Sequence, residues 1–291
     1  MRQKTRDGIL TEKIDSQDRL LSTLYGCVLG RAVIKPLTAP WISRLAGKLL
    51  STKASCVLIR PFIRKNGIDM SQFEPVEYSS YNEFFCRKIR PESRPVDMTP
   101  GHLISPCDSK LTVLPVTRDG VFRLKQTQYT LSSLLKNDEL ARQYEGGQVL
   151  IFRLTVDDYH RYCYVADGQK EENVSIPGVL HTVNPIANDF FPIYKENARQ
   201  YSLLHTKEFG DILTMEVGAL LVGKIVNHHG KASVRRGQEK GYFIFGGSTV
   251  VLVLKENAAR IDPDILENSA AGIETVVKYG EKIGIALSRI S

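Results

Sequence analysis

Acidic residues are missing from a long stretch near the start of this chain. Between Arg19 and Ile68 there are nine Lys or Arg and no Asp or Glu. Residues 1–100 hold 17 basic against 10 acidic side chains and the remainder holds 22 of each, so the net charge of +7 belongs to the first third. That asymmetry points the first third at a polyanion and leaves the rest free for another task. Cysteine is scarce as well. The five, Cys27, Cys56, Cys86, Cys107 and Cys163, are odd in number and none is spaced C-x-x-C. This argues against a disulfide framework and against a zinc knuckle, and a reducing, cytosolic setting is the simplest reading. No uncharged apolar run approaches the roughly 18–20 residues of a membrane span; the run from Leu20 to Gly30 is too short. The first twenty residues are charged and lack an apolar h-region, so no signal peptide is expected. With 291 residues, 42% apolar and 24% charged, the chain is outside the disordered and collagen-like classes and suits one large domain or two modest ones.

What is present divides near residue 95. In the first part Leu20, Leu24 and Val28 recur at i+4, as do Trp41, Leu45 and Leu49, while Pro36, Pro40 and Pro61 cut the pattern into short helical pieces. Aliphatic residues alternate with Arg31, Lys35, Arg44, Lys48, Lys53, Arg60, Arg64 and Lys65. An apolar face beside a basic face is the composition of an interfacial helix on anionic lipid. The competing reading is an ordinary surface helix. Nucleic acid is disfavoured because aliphatic, not aromatic, residues separate the charges. Pro91, Pro95 and Pro100 mark the boundary. The expected organisation is a basic, helical, membrane-associating region over 1–95 and a β-rich catalytic domain over 96–291.

Beyond residue 101 short apolar or alternating runs follow one another: 110–116, 121–124, 149–155, 162–165, 179–183, 212–217, 220–226, 242–245 and 249–254. Turn pairs such as Asp119-Gly120, Gly146-Gly147 and Asp167-Gly168 separate them. Helices are expected near 132–144 and 189–200, a helical turn at 261–268, and closing strands at 275–278 and 282–287. The fold class is therefore α+β, with a core of many short antiparallel strands. Regular βαβ alternation is lacking, which argues against a Rossmann fold.

Three sets of residues could carry chemistry. Gly246-Gly247-Ser248-Thr249 lies between two apolar runs. Taken alone it reads as a hairpin turn. Its chemical reading is an autocatalytic backbone break, in which the Ser248 hydroxyl attacks the carbonyl of Gly247 in a strained turn. His160, in Asp157-Asp158-Tyr159-His160-Arg161, follows an apolar run and suits a general base, or is a plain turn histidine. Asp108, in Ser105-Pro106-Cys107-Asp108-Ser109-Lys110, could orient that histidine, or is a plain turn aspartate. No G-x-S-x-G elbow or Walker A loop is present, Ser133 and Lys136 match S-x-x-K only by position, and His228-His229 lacks partners at metal-ligand spacing, so no metal site is expected.

Six ordered blocks, YNEFFCR from Tyr81, SPCDSKL from Ser105, VDDYHR from Val156, HTVNPI from His181, VGALLVG from Val217 and FGGSTV from Phe245, give a more specific signal than any one of them. Over these blocks the chain resembles phosphatidylserine decarboxylase proenzymes of anaerobic Gram-positive bacteria. The resemblance implies cleavage between Gly247 and Ser248 without hydrolysis, leaving a long chain 1–247 paired with a short chain 248–291. Ser248 would become a pyruvoyl cofactor that forms a Schiff base with the substrate amine, and Asp108, His160 and Ser248 would be catalytic. The implied partners are phosphatidylserine and an anionic membrane surface at the cytoplasmic face, bound peripherally, with homo-oligomerisation open. Two positions depart from the family pattern: Gly246 stands where many members have Leu, and Cys163 where many have a second His. The self-cleavage base is then either His160 or a histidine from elsewhere, such as His181. Alternatives are an inactive membrane-binding homologue, which stays uncut, a serine hydrolase, which keeps Ser248 as a free side chain, and a carrier-type β module, which lacks a suitably presented Lys.

Overall fold

A computed structural model of the chain describes residues 2–12, 40–124, 127–180, 193–218, 224–244, 246 and 248–287. Its centre is an eleven-stranded sheet. The strand Ser248–Leu254 lies in the middle, antiparallel to Gly210–Val217 on one side and Gln148–Leu154 on the other. Beyond Gln148–Leu154 come Ser109–Pro115 and Glu274–Val277; beyond Gly210–Val217 come Arg199–Thr206, Gly168–Lys170 and Ala232–Val234.

The sequence of the central strand explains its place. Ser-Thr-Val-Val-Leu-Val-Leu is a nearly continuous β-branched and aliphatic run, as a strand buried on both faces requires, and every residue of it is buried. Alternation then sorts the side chains between two cores. Val250, Leu252 and Leu254 join one with Leu150, Phe152 and Ile212; Val251 and Val253 join the other with Val149, Ile151, Leu213 and Met215. Ser248 shares the parity of Val250, so its hydroxyl points to the first core. A one-residue slip would turn it to the opposite face.

That face is covered by a second sheet of Lys224–Asn227, Glu239–Ile244 and Arg161–Cys163, which contributes Tyr162, Phe243 and Ile225 to the same core. The strands Glu239–Ile244 and Ser248–Leu254 therefore belong to different sheets and do not pair with each other. The chain therefore passes from one sheet to the other between Ile244 and Ser248, and these two strands do not form the hairpin that the composition suggests. Gly246 has φ of 132°, in the region that favours glycine. Gly247 lies outside the described residues.

The helical pieces expected before residue 95 form in part. Pro40–Leu50 and Ile59–Asn66 are α-helices, and Gly67 closes the second in a left-handed conformation, its N–H donating to the carbonyls of Arg64 and Ile63. Tyr81–Phe85 starts at Ser80, whose hydroxyl accepts the Glu83 N–H. Tyr81, Phe84 and Phe85 form a third, aromatic core with Phe62, Ile63 and Tyr78, and Val156, from the loop after Gln148–Leu154, packs against it. Residues 2–12 depart from the helical reading. Arg2–Thr5 lies parallel to Glu274–Val277, and Leu10–Glu12 folds back on it. Arg6 fixes this edge through Asp262 and Asp264. The expectation resting on Leu20, Leu24 and Val28 falls outside the described residues.

The helix expected at 132–144 is two short ones, Leu131–Leu135 and Asp138–Arg142, broken at Lys136, which has φ of 53°. Of the one expected at 189–200, the described part is helical only over Ile193–Glu196, because the alternating run from Arg199 joins the main sheet. The helix Pro263–Ala270 and the closing strands Glu274–Val277 and Lys282–Ala286 follow the sequence reading. Among the described residues no helix is long and apolar enough to cross a membrane.

Candidate active site

His160 sits at the end of the loop that leaves Gln148–Leu154, immediately before Arg161–Cys163. The loop is held by a local lock. The Thr155 N–H and hydroxyl donate to the Asp158 carboxylate at 2.7 and 2.8 Å, and Lys110 Nζ donates to the same carboxylate at 2.7 Å. This fixes the Thr155 carbonyl, which lies 3.0 Å from His160 Nε2. A carbonyl oxygen only accepts, so Nε2 carries the proton and Nδ1 is left as an acceptor. His160 Nδ1 faces Ser248 Oγ at 3.4 Å, and both residues are fully buried. Phe85 covers the imidazole, ring centroids 4.1 Å apart. Burial is the main cause that pushes the His160 pKa down to about 3, and the Arg87 charge adds to it. The ring is thus neutral across the physiological range and able to take a proton from Ser248.

The expected orienting role of Asp108 is not what the geometry shows. Its carboxylate accepts Arg94 Nε and Nη2, at 2.9 and 2.6 Å, and the Tyr279 N–H at 2.8 Å. The Nε2 proton of His160 goes to Thr155 instead. The physical reason is that a buried carboxylate needs a cation and donors, and Arg94 supplies a two-pronged partner that an imidazole would have to displace. Cys163, at the position of the missing second histidine, is buried, and burial pushes its thiol up to about 12. It stays protonated at neutral pH and offers no base. His181 lies outside the described residues, as does Gly247.

Thr155, Asp158, Lys110 and Phe85, which set the tautomer and packing of His160, were given no such task in the sequence reading, although the last three lie in the blocks that carry the resemblance. The Thr-x-x-Asp spacing over 155–158 was the available signal, being the pattern of a side chain that closes its own turn. The carbonyl that orients the imidazole belongs to the backbone and leaves no mark on residue identity.

The family model for phosphatidylserine decarboxylase matches residues 81–285. The chain is 48% identical over 265 residues to phosphatidylserine decarboxylase proenzyme 2 of Clostridium acetobutylicum, covering 91% of each chain. It is 39% identical over 277 residues to the phosphatidylserine decarboxylase proenzyme of Ruminiclostridium cellulolyticum, covering 93% of this chain and 92% of the relative. It is 38% identical over 274 residues to that of Desulfitobacterium hafniense, covering 92% of each. With most of its length matched, and His160 and Ser248 both inside the matched region, the chain belongs to the phosphatidylserine decarboxylase family.

Proposed function

We propose that the chain is a self-processing decarboxylase that converts phosphatidylserine to phosphatidylethanolamine after cutting its own Gly247–Ser248 bond. The observation that carries this reading is the buried contact between His160 Nδ1 and Ser248 Oγ. His160 takes the hydroxyl proton as Oγ attacks the Gly247 carbonyl; the C–N bond breaks, the amine takes a proton, and an ester remains. Loss of the Ser248 α-proton expels the Gly247 carboxylate. Water then replaces the nitrogen as ammonia, leaving pyruvoyl at position 248. A fully buried Ser248 fits this intramolecular reaction better than hydrolysis of an external ester, because the neighbouring carbonyl needs no access from solvent.

The residues present fit the pyruvoyl group. Ser248 opens a strand clamped on both sides, so the short chain stays in the sheet after the cut. The pyruvoyl ketone supplies an electrophile for the substrate amine and an electron sink as carbon dioxide leaves. His160, held through Thr155, would take on Nδ1 the proton that the substrate ammonium must lose before it attacks, and would return that proton to the carbon that lost the carboxylate. Arg161–Cys163 and its sheet partners exclude water from that face.

The basic region over 1–95 serves as the membrane-associating part and 96–291 as the catalytic part. Leu45, Leu49, Val57 and Leu58 are exposed on the helical pieces that also carry Lys48, Lys53, Arg60, Arg64 and Lys65. Apolar side chains among cations suit peripheral binding to an anionic bilayer at its cytoplasmic face. The test of the whole reading is the mass of purified protein: two chains ending at Gly247 and starting with a borohydride-reducible group at 248. A single uncut 32.7 kDa chain without activity overturns it, and Ser248→Ala abolishes processing.

A further inference from the structure

Arg87 is buried, only 2% exposed, yet its guanidinium has no carboxylate partner among the described residues. The guanidinium carbon lies 4.4 Å from the Phe73 ring centre and 5.0 Å from that of Phe84. Nη2 reaches the carbonyls of Asp157 and Asp158 only at 3.5 Å, and Nε and Nη1 are buried with no hydrogen-bond partner. A cation removed from water with idle donors is costly unless something satisfies it. Arg87 also lines a cavity of about 420 Å³, together with Cys86, Lys88, Arg161, Tyr242 and Ile244. That volume suits a phosphoserine-sized group. Glu83 on its wall is engaged by the Ser79 N–H and hydroxyl, while Glu74 stands exposed at the rim. The cavity lining holds neither His160 nor Ser248 itself, but it includes Arg161, next to His160 in the chain, and Ile244, four residues before Ser248. Asp157 and Asp158 belong to the loop that carries His160, and Ile244 ends the strand that leads to Ser248.

The substrate of the proposed reaction brings two anions, a carboxylate and a phosphodiester. Pairing a buried guanidinium with the carboxylate would stabilise the ground state of the group that must become neutral carbon dioxide, and so would oppose the reaction. The phosphodiester keeps its charge throughout. It is set off from the amine-bearing carbon by only a methylene and an ester oxygen, so binding it anchors the head group without loss at the transition state.

We infer that Arg87 is the phosphodiester-recognising residue of this site, its guanidinium donating to the non-bridging oxygens of the serine head group in the cavity it shares with Arg161 and Ile244. This rests on the decarboxylase reading proposed above.

The experiment compares two lipids in phosphatidylcholine vesicles with the processed enzyme: phosphatidylserine, and a serine lipid with a neutral ether linker in place of the phosphodiester. Hydrogen bonds to charged groups predict at least about a tenfold lower kcat/KM for the neutral-linker lipid. In Arg87→Lys, which keeps the charge but loses the planar fork, KM for phosphatidylserine rises about tenfold or more with a much smaller change in kcat. The loss is about tenfold larger for phosphatidylserine than for the neutral-linker lipid. Equal turnover of the two lipids by the unaltered enzyme overturns the inference. So does an equal loss on both in Arg87→Lys, or a folded Arg87→Lys chain that stays uncut; either assigns Arg87 to holding the His160 loop. If Arg87→Lys does not fold, the comparison of lipids on the unaltered enzyme decides alone. Processed enzyme inactive on both lipids removes the decarboxylase reading itself, a distinct result.

Discussion

His160 and Ser248 meet across two different sheets: the imidazole precedes a strand of the three-stranded sheet, and the hydroxyl opens the central strand of the large one. Their 3.4 Å contact therefore exists only once both sheets have packed. Self-cleavage is tied to completed folding, and the pH profile follows from the buried ring. With a pKa near 3, His160 does not change charge around the usual histidine value of 6.5. The first-order processing rate of freshly folded precursor, followed by mass, is expected to be flat from about pH 5 to 8. A titration step near 6.5 would show that the base is exposed, or is another histidine.

The same depressed pKa makes stability fall in acid. Between about 6.5 and about 3 the unfolded chain binds a proton at His160 that the folded chain refuses, so this contribution is fully present above 6.5 and is lost as pH falls toward 3. In the uncut Ser248→Ala background, urea unfolding should lose stability below pH 6.5 more steeply with His160 than with His160→Phe. The difference approaches about 1.4 kcal/mol per pH unit. Parallel curves would mean that His160 is hydrated in the fold.

Asp108 is bound to Arg94, not His160, and a double-mutant cycle separates the two pairings. In Ser248→Ala protein, Asp108→Asn and Arg94→Gln are expected to couple by about 1–3 kcal/mol in unfolding free energy. Asp108→Asn and His160→Gln should add to within about 0.5 kcal/mol. Strong coupling to His160 with none to Arg94 would restore the triad geometry.

The parts of the site legible in the sequence were those whose residue types are chemically uncommon in context. Ser248 after two glycines and His160 beside two aspartates stood out, and the structure brings them together. Asp108 misled because a turn carboxylate suits an arginine as well as an imidazole. Its partners, Arg94 and the Tyr279 N–H, lie 14 and 171 residues away. The hairpin that the two glycines suggest when taken alone does not form, because local turn chemistry does not reveal which strands pair. Strand existence was legible, since alternation is local. The first residues became strands only because Glu274–Val277 offers them an edge, a fact with no trace in residues 2–12 themselves.

The joint between the two sheets also depends on a buried ion pair. Lys240 Nζ donates to Glu216 Oε1 at 2.6 Å, and neither side chain is more than 1% exposed. Asn227 completes the pair: its Oδ1 accepts from Lys240 at 3.0 Å and its Nδ2 donates to Glu216 Oε2 at 2.9 Å. Glu216 stands opposite Val250 of the central strand and Lys240 lies on the strand leading to Ser248, so the pair fastens both sides of the crossover. Removing one partner strands the other charge in the core. Lys240→Met in Ser248→Ala protein is expected to lower unfolding free energy by about 3–5 kcal/mol. Adding Glu216→Gln, which removes the orphaned charge and keeps an acceptor for Asn227, should recover more than half of that loss. If the double variant is as unstable as Lys240→Met alone, the loss comes from packing of the lysine stem, and the ion pair has no part in fastening the sheets.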